Sequence, residues 1–318
     1  MKPTMSKKVY LGIDTSNYTT SVAICNEEGE IVANIKKMLD VKEGERGLRQ
    51  SDAVFAHVKN FPELAEQVRN SLDGCEISSV GVSTVPRDVQ GSYMPCFLTG
   101  KAVAEMIAAT HGVPVSYFSH QAGHIMAALY SSGAIEELIS KPFIAFHISG
   151  GTTEALYVTP NNHSFDAIIV ADTADISAGQ AIDRAGVMMG LKFPCGKELE
   201  VLANGYECKL PKPKICVTDN KCNLSGLENI AKKLYEKGES KEYVAAYVLN
   251  FISETLIAIT KQIREKYPDI PIVYAGGVMS NKLLKANLSQ FDKTYFAEPS
   301  FSADNAAGIA LLARKNYK

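Results

Sequence analysis

Apolar and polar positions alternate in three neighbouring segments near the start of the chain, and the same arrangement returns at mid-chain. Such alternation predicts β-strands with one face turned to a core. Turn-forming residues separate the segments, so each group predicts a meander of three antiparallel strands. The predicted strands cover residues 8–13, 20–25 and 30–35 in the first meander and residues 142–148, 154–159 and 164–170 in the second.

After each meander the apolar spacing changes to about 3.6 residues, which predicts helices among further strands. The predicted helices are 98–111, 119–130, 179–190, 242–267 and 303–315, and the predicted buried strands are 79–85, 114–117 and 270–274. A duplicated meander followed by α/β units predicts two similar lobes around a central cleft, the α/β architecture of the actin-like ATPase superfold. We place the lobes at residues 1–141 and 142–318. The alternative is two unrelated α/β domains, each with an ordinary hairpin.

Composition narrows the class of protein without identifying an activity. The chain has 318 residues, 33 Lys+Arg, 35 Asp+Glu and a formal net charge of −2, which excludes chain-wide affinity for polyanions but not a local basic patch. No uninterrupted apolar run reaches the ~18 residues of a membrane span, and no signal-peptide pattern opens the sequence. The seven Cys lack Cys-x-x-Cys spacing, as is typical of reduced thiols. We therefore expect a cytoplasmic, enzyme-sized protein without membrane contact.

His120 and His124 form the strongest metal-binding signal in the sequence. Ser119 is a candidate N-cap for the helix predicted over 119–130. Residues four apart lie on one face of a helix, so the two imidazoles can hold one divalent ion. Two ligands leave the coordination incomplete, and a third is required. The alternative is a pair of surface or packing histidines.

Asp304 is the candidate third ligand. It stands at the predicted start of the last helix, where an Asp serves equally well as a cap. Two histidines and one carboxylate with open coordination positions suit Fe²⁺ or Zn²⁺. Because Asp304 falls in the second predicted lobe and the histidines in the first, we expect the ion to bridge the lobes.

Two glycine pairs, Gly150-Gly151 and Gly276-Gly277, follow predicted strands. Glycine lets the backbone approach a phosphate or ribose closely, and a helix N-terminus favours an anion. The alternative for each pair is an ordinary tight turn. Walker A and GxGxxG motifs are absent from the sequence, so P-loop and Rossmann sites lack their key residues. Asp183, on a predicted helix, faces either solvent or a ligand ribose or amine.

Several short motifs occur in the order and with the spacing of one family of tRNA-modification enzymes. They are Ile13-Asp-Thr-Ser16, His120-x3-His124, Ile148-Ser-Gly-Gly-Thr152, Ala178-Gly-Gln-Ala-Ile-Asp183, Phe193-Pro-Cys-Gly196, Leu224-Ser-Gly-Leu227, Ala275-Gly-Gly-Val-Met-Ser-Asn281 and Asp304-Asn-Ala-Ala-Gly-Ile309. From Gly12 to about Arg314 the chain resembles the threonylcarbamoyl-adenosine synthase family, formerly called O-sialoglycoprotein endopeptidases.

The resemblance implies an actin-like fold and one divalent ion, Fe²⁺ or Zn²⁺, held by His120, His124 and Asp304. It implies a donor, threonylcarbamoyl-adenylate, in a pocket that also suits ATP or AMP, and a catalytic role for Asp14 in the first polar turn. The implied donor-binding residues are Ser149, Gly150, Gly151, Thr152, Asp183, Gly196 and Asn281. The implied reaction transfers threonylcarbamoyl to N6 of adenosine 37 in tRNA and releases AMP. Besides tRNA, family-type accessory proteins are implied partners.

The sequence departs from the family's motifs at several positions, as expected for a divergent paralogue. The departures are Asn17 and Tyr18 in place of acidic residues, Thr152 in place of a histidine, Ile176 in place of the second of two Asp, Cys195 in place of a glycine, and segment 85–91 in place of a glycine-rich loop. Two functions stay open: a metal-dependent threonylcarbamoyl transferase, or a non-catalytic actin-like nucleotide-binding scaffold. A phosphotransferase is a weaker hypothesis, because the second polar turn carries no carboxylate.

Overall fold

The computed structural model describes residues 7–16, 18–40 and 48–317, so Asn17 lies outside the described residues. The strands are β1 Lys8–Asp14, β2 Thr19–Asn26, β3 Ile31–Met38, β4 Glu76–Val85, β5 Val115–Ser119, β6 Phe143–Ile148, β7 Thr153–Pro160, β8 Phe165–Thr173, β9 Cys216–Thr218, β10 Lys221–Asn223, β11 Ile272–Ala275 and β12 Thr294–Phe296. The helices are α1 Gln50–Leu72, α2 Phe97–His111, α3 His120–Ser131, α4 Ile135–Leu138, α5 Ala178–Met188, α6 Gly196–Asn204, α7 Gly226–Glu236, α8 Lys241–Lys266, α9 Lys282–Leu288, α10 Pro299–Ser302 and α11 Ala307–Asn316. A 3-10 helix covers Gly277–Ser280.

The chain divides into two compact units, and one of them contains both ends of the sequence. Unit 1 consists of Met1–Ser131, Pro160–Asp166 and Phe301–Lys318, and unit 2 of Ser132–Thr159 and Ala167–Ser300. This division differs from a single boundary at residue 141, because the segment that carries Asp304 and α11 belongs to unit 1. Segment Phe301–Lys318 packs there because α11 contacts α3 and β1.

Unit 1 is built on a five-stranded sheet with the order β3-β2-β1-β4-β5. Strands β1 to β3 pair in antiparallel fashion, which confirms the first predicted meander, while β4 runs parallel to β1 and to β5. Gly12 on β1 and Gly81 on β4 are paired across the sheet. A Cβ at either position would overlap the backbone of α11, so the two glycines let this helix lie directly on the sheet.

Unit 2 is built on a seven-stranded sheet with the order β12-β11-β6-β7-β8-β10-β9. The neighbouring strands β6, β7 and β8 are the second predicted meander, and β11 pairs in parallel with both β6 and β12. Tyr274 is fully buried in the core, where it stacks on Phe146 at a centroid distance of 4.8 Å. Its hydroxyl is 2.7 Å from that of Thr260, so the one polar atom of this ring has a partner.

Helix α8 is long and apolar enough to span a membrane by length and composition, although the sequence contains no uninterrupted apolar run of that length. Of its most apolar 18-residue window, 78% is buried inside the protein. Leu249, Ile252 and Leu256 are among the buried side chains. The helix is therefore typical of a core helix in an α/β fold.

The predicted helices agree with the structure to within a few residues, except at the start of α11. The prediction begins that helix at residue 303, whereas α11 begins at Ala307. The Asn305 side chain donates to the carbonyls of Phe301 and Ala303 and accepts from the amide of Ala307. These bonds close a turn ahead of the helix and leave Asp304 outside it.

Candidate metal centre and nucleotide surface

His120 and His124 lie one turn apart on α3, as predicted. The helix begins directly after β5, and the hydroxyl of Ser119 accepts the amide of Ala122 at 3.1 Å, which caps the helix. Ser119 in turn donates to Asp88 at 2.5 Å. The Nε2 atoms of the two histidines are 2.9 Å apart. The capped helix therefore turns both imidazoles to one point.

Asp304 completes the cluster from the turn that precedes α11. Its Oδ1 lies 3.6 Å from Nε2 of His120 and 3.4 Å from Nε2 of His124. Asn305, not Asp304, supplies the side-chain acceptor at the start of α11. The Asp304 carboxylate therefore does not cap α11 in the structure.

Close contact between α3 and α11 brings Asp304 to the histidines. A Cβ on Gly308 would overlap the carbonyl of Gly123, and a Cβ on Gly123 would press on Ile309. Gly308 therefore needs to be glycine, because its Cβ would meet backbone, whereas a Cβ on Gly123 would meet only the end of the Ile309 side chain. The sequence analysis assigned no role to Gly123 or Gly308. Each of them lies inside one of the two ligand motifs and follows an alanine.

All three candidate ligands belong to unit 1. The expectation that the ion would bridge two lobes is therefore wrong, because the lobe assignment of Asp304 was wrong. The three side chains are only 16–27% exposed, which leaves them accessible to an ion from solvent.

The geometry and the donor set fit a divalent transition-metal ion. Ligand atoms that share one ion at about 2.0–2.2 Å stand roughly 3 Å apart, and the three observed separations are 2.9, 3.4 and 3.6 Å. Two imidazole nitrogens and one carboxylate oxygen suit Zn²⁺ or Fe²⁺. Within the described ranges, His120, His124 and Asp304 are the group of His, Cys, Asp or Glu side chains placed to hold an ion.

Asp14 lies behind the cluster, at the end of β1, and is fully buried. Its Oδ1 is 3.1 Å from Nδ1 of His120 and accepts the hydroxyl of Ser83, while its Oδ2 accepts the hydroxyl of Ser16 at 2.6 Å. The Asp14 carboxylate therefore contacts a candidate metal ligand but has no exposed surface. This placement argues against a catalytic role that requires contact with substrate.

The electrostatics of the cluster favour the charged forms of His120, Asp304 and Asp14. Burial alone lowers the pKa of His120, but the carboxylates of Asp14 and Asp304 outweigh it and raise the pKa to about 10. Burial alone raises the pKa of Asp304, but hydrogen bonds and charge from His120 and His124 hold it well below its usual range. For Asp14 the same competition also ends with a lowered pKa, through His120 and the two serine hydroxyls. The carboxylate ligand is therefore ionised and ready for a cation.

The predicted donor-binding residues all lie in unit 2, on a different kind of surface. The hydroxyl of Ser149 accepts the amides of Gly151 at 3.3 Å and Thr152 at 3.1 Å and so holds the turn after β6. A Cβ on Gly150 or Gly151 would meet no atom within 4 Å, and the same holds for Gly196 and Gly277. Three of the expected residues, Gly150, Gly151 and Gly196, thus offer bare backbone that faces open space, as does Gly277 of the second glycine pair.

Two further glycines hold this surface together by close packing. A Cβ on Gly276 would overlap the backbone of Ile148, and Gly276 has φ of +104°, which only glycine adopts readily. A Cβ on Gly179, at the start of α5, would overlap Ser149 and Gly150. The sequence pattern identified both glycine pairs but not that Gly276 is packed against Ile148 while Gly277 is open.

Asp183, in the middle of α5, and Asn281, at the start of α9, present polar groups in unit 2. Asp183 is half-buried and accepts the amide of Cys195 at 2.8 Å, and burial raises the pKa of its carboxyl against the effect of that amide. The Asn281 side chain accepts the amide of Leu284 at 3.1 Å and caps α9. Its Nδ2 can donate to a ligand, and Oδ1 keeps one further lone pair.

Two of the family departures have visible structural roles. Asp88, in the segment that replaces the glycine-rich loop, bonds the capping Ser119 of α3. Cys195 is buried against Gly186, where a Cβ would overlap its sulfur. Asp175, which precedes the altered position Ile176, accepts the amides of Ile176, Leu224 and Ser225. These bonds join the loop before α5 to the loop before α7.

Comparison with known proteins identifies the family. Residues 30–311 match the family described as TsaD, tRNA N6-adenosine threonylcarbamoyltransferase. The chain belongs to the TsaD family. A relative from Streptococcus sanguinis (strain SK36), named tRNA N6-adenosine threonylcarbamoyltransferase, is 30% identical over 318 residues, with 96% of this chain and 91% of the relative covered. Membership of the TsaD family supports a role in tRNA modification.

Solved structures confirm the fold class. Component A of the Acidaminococcus fermentans (R)-2-hydroxyglutaryl-CoA dehydratase is similar with a TM-score of 0.56, at 17% identity, over 96% of this chain and 98% of that one. A ROK family glucokinase from Streptomyces griseus is similar with a TM-score of 0.53, at 11% identity, over 97% and 100% of the two chains. At such identities the likeness shows the fold alone, which is the actin-like ATPase superfold.

Proposed function

We propose that this TsaD-family protein transfers threonylcarbamoyl from threonylcarbamoyl-adenylate to N6 of adenosine 37 in tRNA. The observation that carries the proposal is the cluster of three ligand atoms from His120, His124 and Asp304, at separations of 2.9–3.6 Å. A scaffold that only binds a nucleotide has no need for two imidazoles and a carboxylate aimed at one point.

In the proposed reaction, N6 of the adenosine forms a bond with the carbamoyl carbon. The bond from that carbon to the adenylate phosphate oxygen breaks, AMP leaves and the proton on N6 is lost to solvent. His120, His124 and Asp304 would hold a divalent ion, which would supply Lewis-acid chemistry.

The residues of unit 2 have the proposed role of holding the adenylate. The bare backbone at Gly150, Gly151 and Gly277 allows the nucleotide to approach without meeting a side chain. Asp183 has one carboxylate oxygen bonded to the amide of Cys195, and the other suits a ribose hydroxyl. Gly196, at the start of α6, offers a further open position, and Asn281 offers Nδ2. Fixing the donor in this way lowers the entropic part of the barrier.

The test supplies the purified protein with Zn²⁺ or Fe²⁺, threonylcarbamoyl-adenylate and an unmodified tRNA transcript that has adenosine at position 37. The modified nucleoside is then measured by mass spectrometry after digestion. We expect product with this tRNA, none with a transcript that carries guanosine at position 37, and none with the His120→Ala variant. AMP binding without product in the wild type would instead support the nucleotide-binding scaffold.

A further inference from the structure

Asp14 is a fully buried carboxylate whose recorded partners account for both of its oxygens. Oδ1 receives the hydroxyl of Ser83 and faces Nδ1 of His120 at 3.1 Å. Oδ2 receives the hydroxyl of Ser16 at 2.6 Å and its amide at 3.4 Å. Asp14 is 0% exposed, so it touches a ligand of the proposed ion but no substrate.

The hydrogen-bond roles at Asp14 follow from its charge. An ionised carboxylate accepts hydrogen bonds and donates none, so every hydrogen in these contacts belongs to the partner. Nδ1 of His120 must therefore carry the hydrogen that points to Asp14. In a neutral imidazole the other nitrogen then has the free lone pair, and Nε2 is the atom that faces His124 and Asp304.

The imidazole also has an aromatic neighbour. The ring of Phe97, which is buried, lies 6.2 Å from the ring of His120, centroid to centroid. Ser83 on β4 and Ser16 after β1 fix the carboxylate itself, so the bonding runs from the sheet through Asp14 to His120. The sheet of unit 1 therefore sets the direction of one candidate ligand.

We propose that Asp14 is a positioning residue that fixes His120 in the Nδ1–H tautomer and so directs the Nε2 lone pair at the metal ion. Carboxylates behind a histidine ligand commonly have this role, and their loss reduces metal affinity by about 10–100-fold. The inference rests on the metal centre of the proposed function. It replaces the catalytic role expected for Asp14 from the sequence.

A purely structural role for Asp14, as a link between β1 and β4, makes a different prediction. Its loss would then lower stability without changing the affinity of the folded protein for metal. Two variants separate these roles. Asp14→Ala removes the acceptor, whereas Asp14→Asn keeps an oxygen that accepts a hydrogen bond from Nδ1 but removes the charge.

The experiment measures Zn²⁺ affinity by competition with a chromophoric chelator, alongside thermal unfolding to confirm that each variant is folded. We expect affinity to fall about 10–100-fold in Asp14→Ala and by less in Asp14→Asn. The matched control is Asp88→Asn. Asp88 bonds Ser119, the neighbour of His120, without contacting the imidazole, and we expect its loss to change affinity less than about twofold. Wild-type affinity in a folded Asp14→Ala protein would overturn the inference.

A second measurement needs no variant at Asp14. In ¹⁵N-labelled wild type with Zn²⁺ bound, long-range proton–nitrogen correlation spectra report which nitrogen of each histidine is protonated. Loss of one set of signals in a His120→Gln protein assigns His120. We expect Nδ1 protonated and Nε2 metal-bound, and the opposite tautomer would overturn the inference, as would a wild type that binds no Zn²⁺.

The two proposals fail in distinguishable ways. A wild type that binds Zn²⁺ with Nδ1 of His120 protonated but modifies no tRNA refutes the proposed function and leaves the role of Asp14 intact. A wild type that modifies tRNA while Asp14→Ala retains full Zn²⁺ affinity refutes the role of Asp14 alone.

Discussion

The candidate metal centre of unit 1 is made of side chains, whereas the candidate nucleotide surface of unit 2 is largely made of bare backbone. In unit 1, two imidazoles and a carboxylate converge to within 3.6 Å, and buried hydrogen bonds fix their directions. In unit 2, Gly150, Gly151 and Gly277 face open space, and the turn that contains Gly150 and Gly151 is held by the hydroxyl of Ser149. The candidate metal centre depends on the ligand atoms of its side chains, and the candidate nucleotide surface depends on the absence of side chains at its glycines.

The same residue type has opposite roles at the two sites. Gly308 lets α11 touch α3 at Gly123, which brings Asp304, in the turn before α11, to the histidines of α3. A Cβ on Gly277 would meet no atom within 4 Å, so this glycine leaves open space at the surface. Substitutions therefore separate glycines that the fold needs from glycines that a ligand needs.

The largest effect is expected at the packing glycine of unit 2. Gly276→Ala places a Cβ into the backbone of Ile148 at a residue with φ of +104°, and we expect it to lower the free energy of unfolding by about 3 kcal/mol or more. Gly277→Ala is the matched control, with an expected change below about 1 kcal/mol. Urea unfolding measures both. Equal stability of the two variants would show that the close contact at Gly276 does not contribute to the stability of the fold.

The next effect concerns the carboxylate ligand of unit 1. We expect Asp304→Asn to reduce Zn²⁺ affinity about 100-fold, because a neutral amide is a poorer ligand than a carboxylate. Capping predicts no change, since Asn caps a helix about as well as Asp. Metal content after dialysis, measured by mass spectrometry, checks this, with Asp52→Asn as an exposed control in the same unit. Equal metal content in Asp304→Asn and wild type would remove Asp304 from the site.

A third prediction concerns a buried histidine of unit 1 that lies outside the cluster. His57 bonds the hydroxyl of Thr20 at 2.8 Å, its Nε2 has no partner in the described structure, and burial lowers its pKa to about 4, while Asp14 acts in the opposite direction. A folded-state pKa below the usual 6.5 of histidine stabilises the fold at neutral pH, and this contribution is lost as the pH falls from 6.5 towards 4.

We therefore expect the wild type to lose about 2 kcal/mol more stability than His57→Gln when the pH falls from 7 to 5. Comparing the two proteins removes the contribution of groups that they share, including His120. Chemical unfolding at both pH values, without metal, measures the difference. Parallel pH profiles would show that His57 is not held neutral inside unit 1.

The smallest effect is expected at the open surface of unit 2. Gly277→Val adds a branched side chain where no protein atom lies within 4 Å, so the fold should tolerate it while AMP binding weakens at least about tenfold. Calorimetric titration with AMP measures the affinity. Undiminished AMP binding by a folded Gly277→Val protein would show that the nucleotide does not approach this glycine.

Residue spacing was sufficient to predict that His120 and His124 share one helix face, but not that Asp304 belongs to the same unit. The His-x3-His spacing becomes a shared face as soon as α3 forms, so the pair could be predicted from local rules. Asp304 reaches the two histidines only because of where α11 packs. That packing needs the absence of a side chain at Gly12, Gly81 and Gly308. Such contacts join residues far apart in sequence, and the predicted lobe boundary therefore placed Asp304 in the wrong unit.

The backbone site was predictable only in outline. A glycine pair after a strand indicates a close approach, but Gly276 and Gly277 look alike until the turn brings one of them against Ile148. Helix α1 was not predicted, and it contains Pro62, a residue that usually ends a helix. In each case tertiary packing decided what the local pattern left open.

The most direct test of the account is to locate the metal ion. Crystals of the wild type soaked in Zn²⁺ and measured at the zinc absorption edge should show one strong anomalous peak, bounded by Nε2 of His120, Nε2 of His124 and a carboxylate oxygen of Asp304. A peak at another position, or none at these three side chains, would contradict the account.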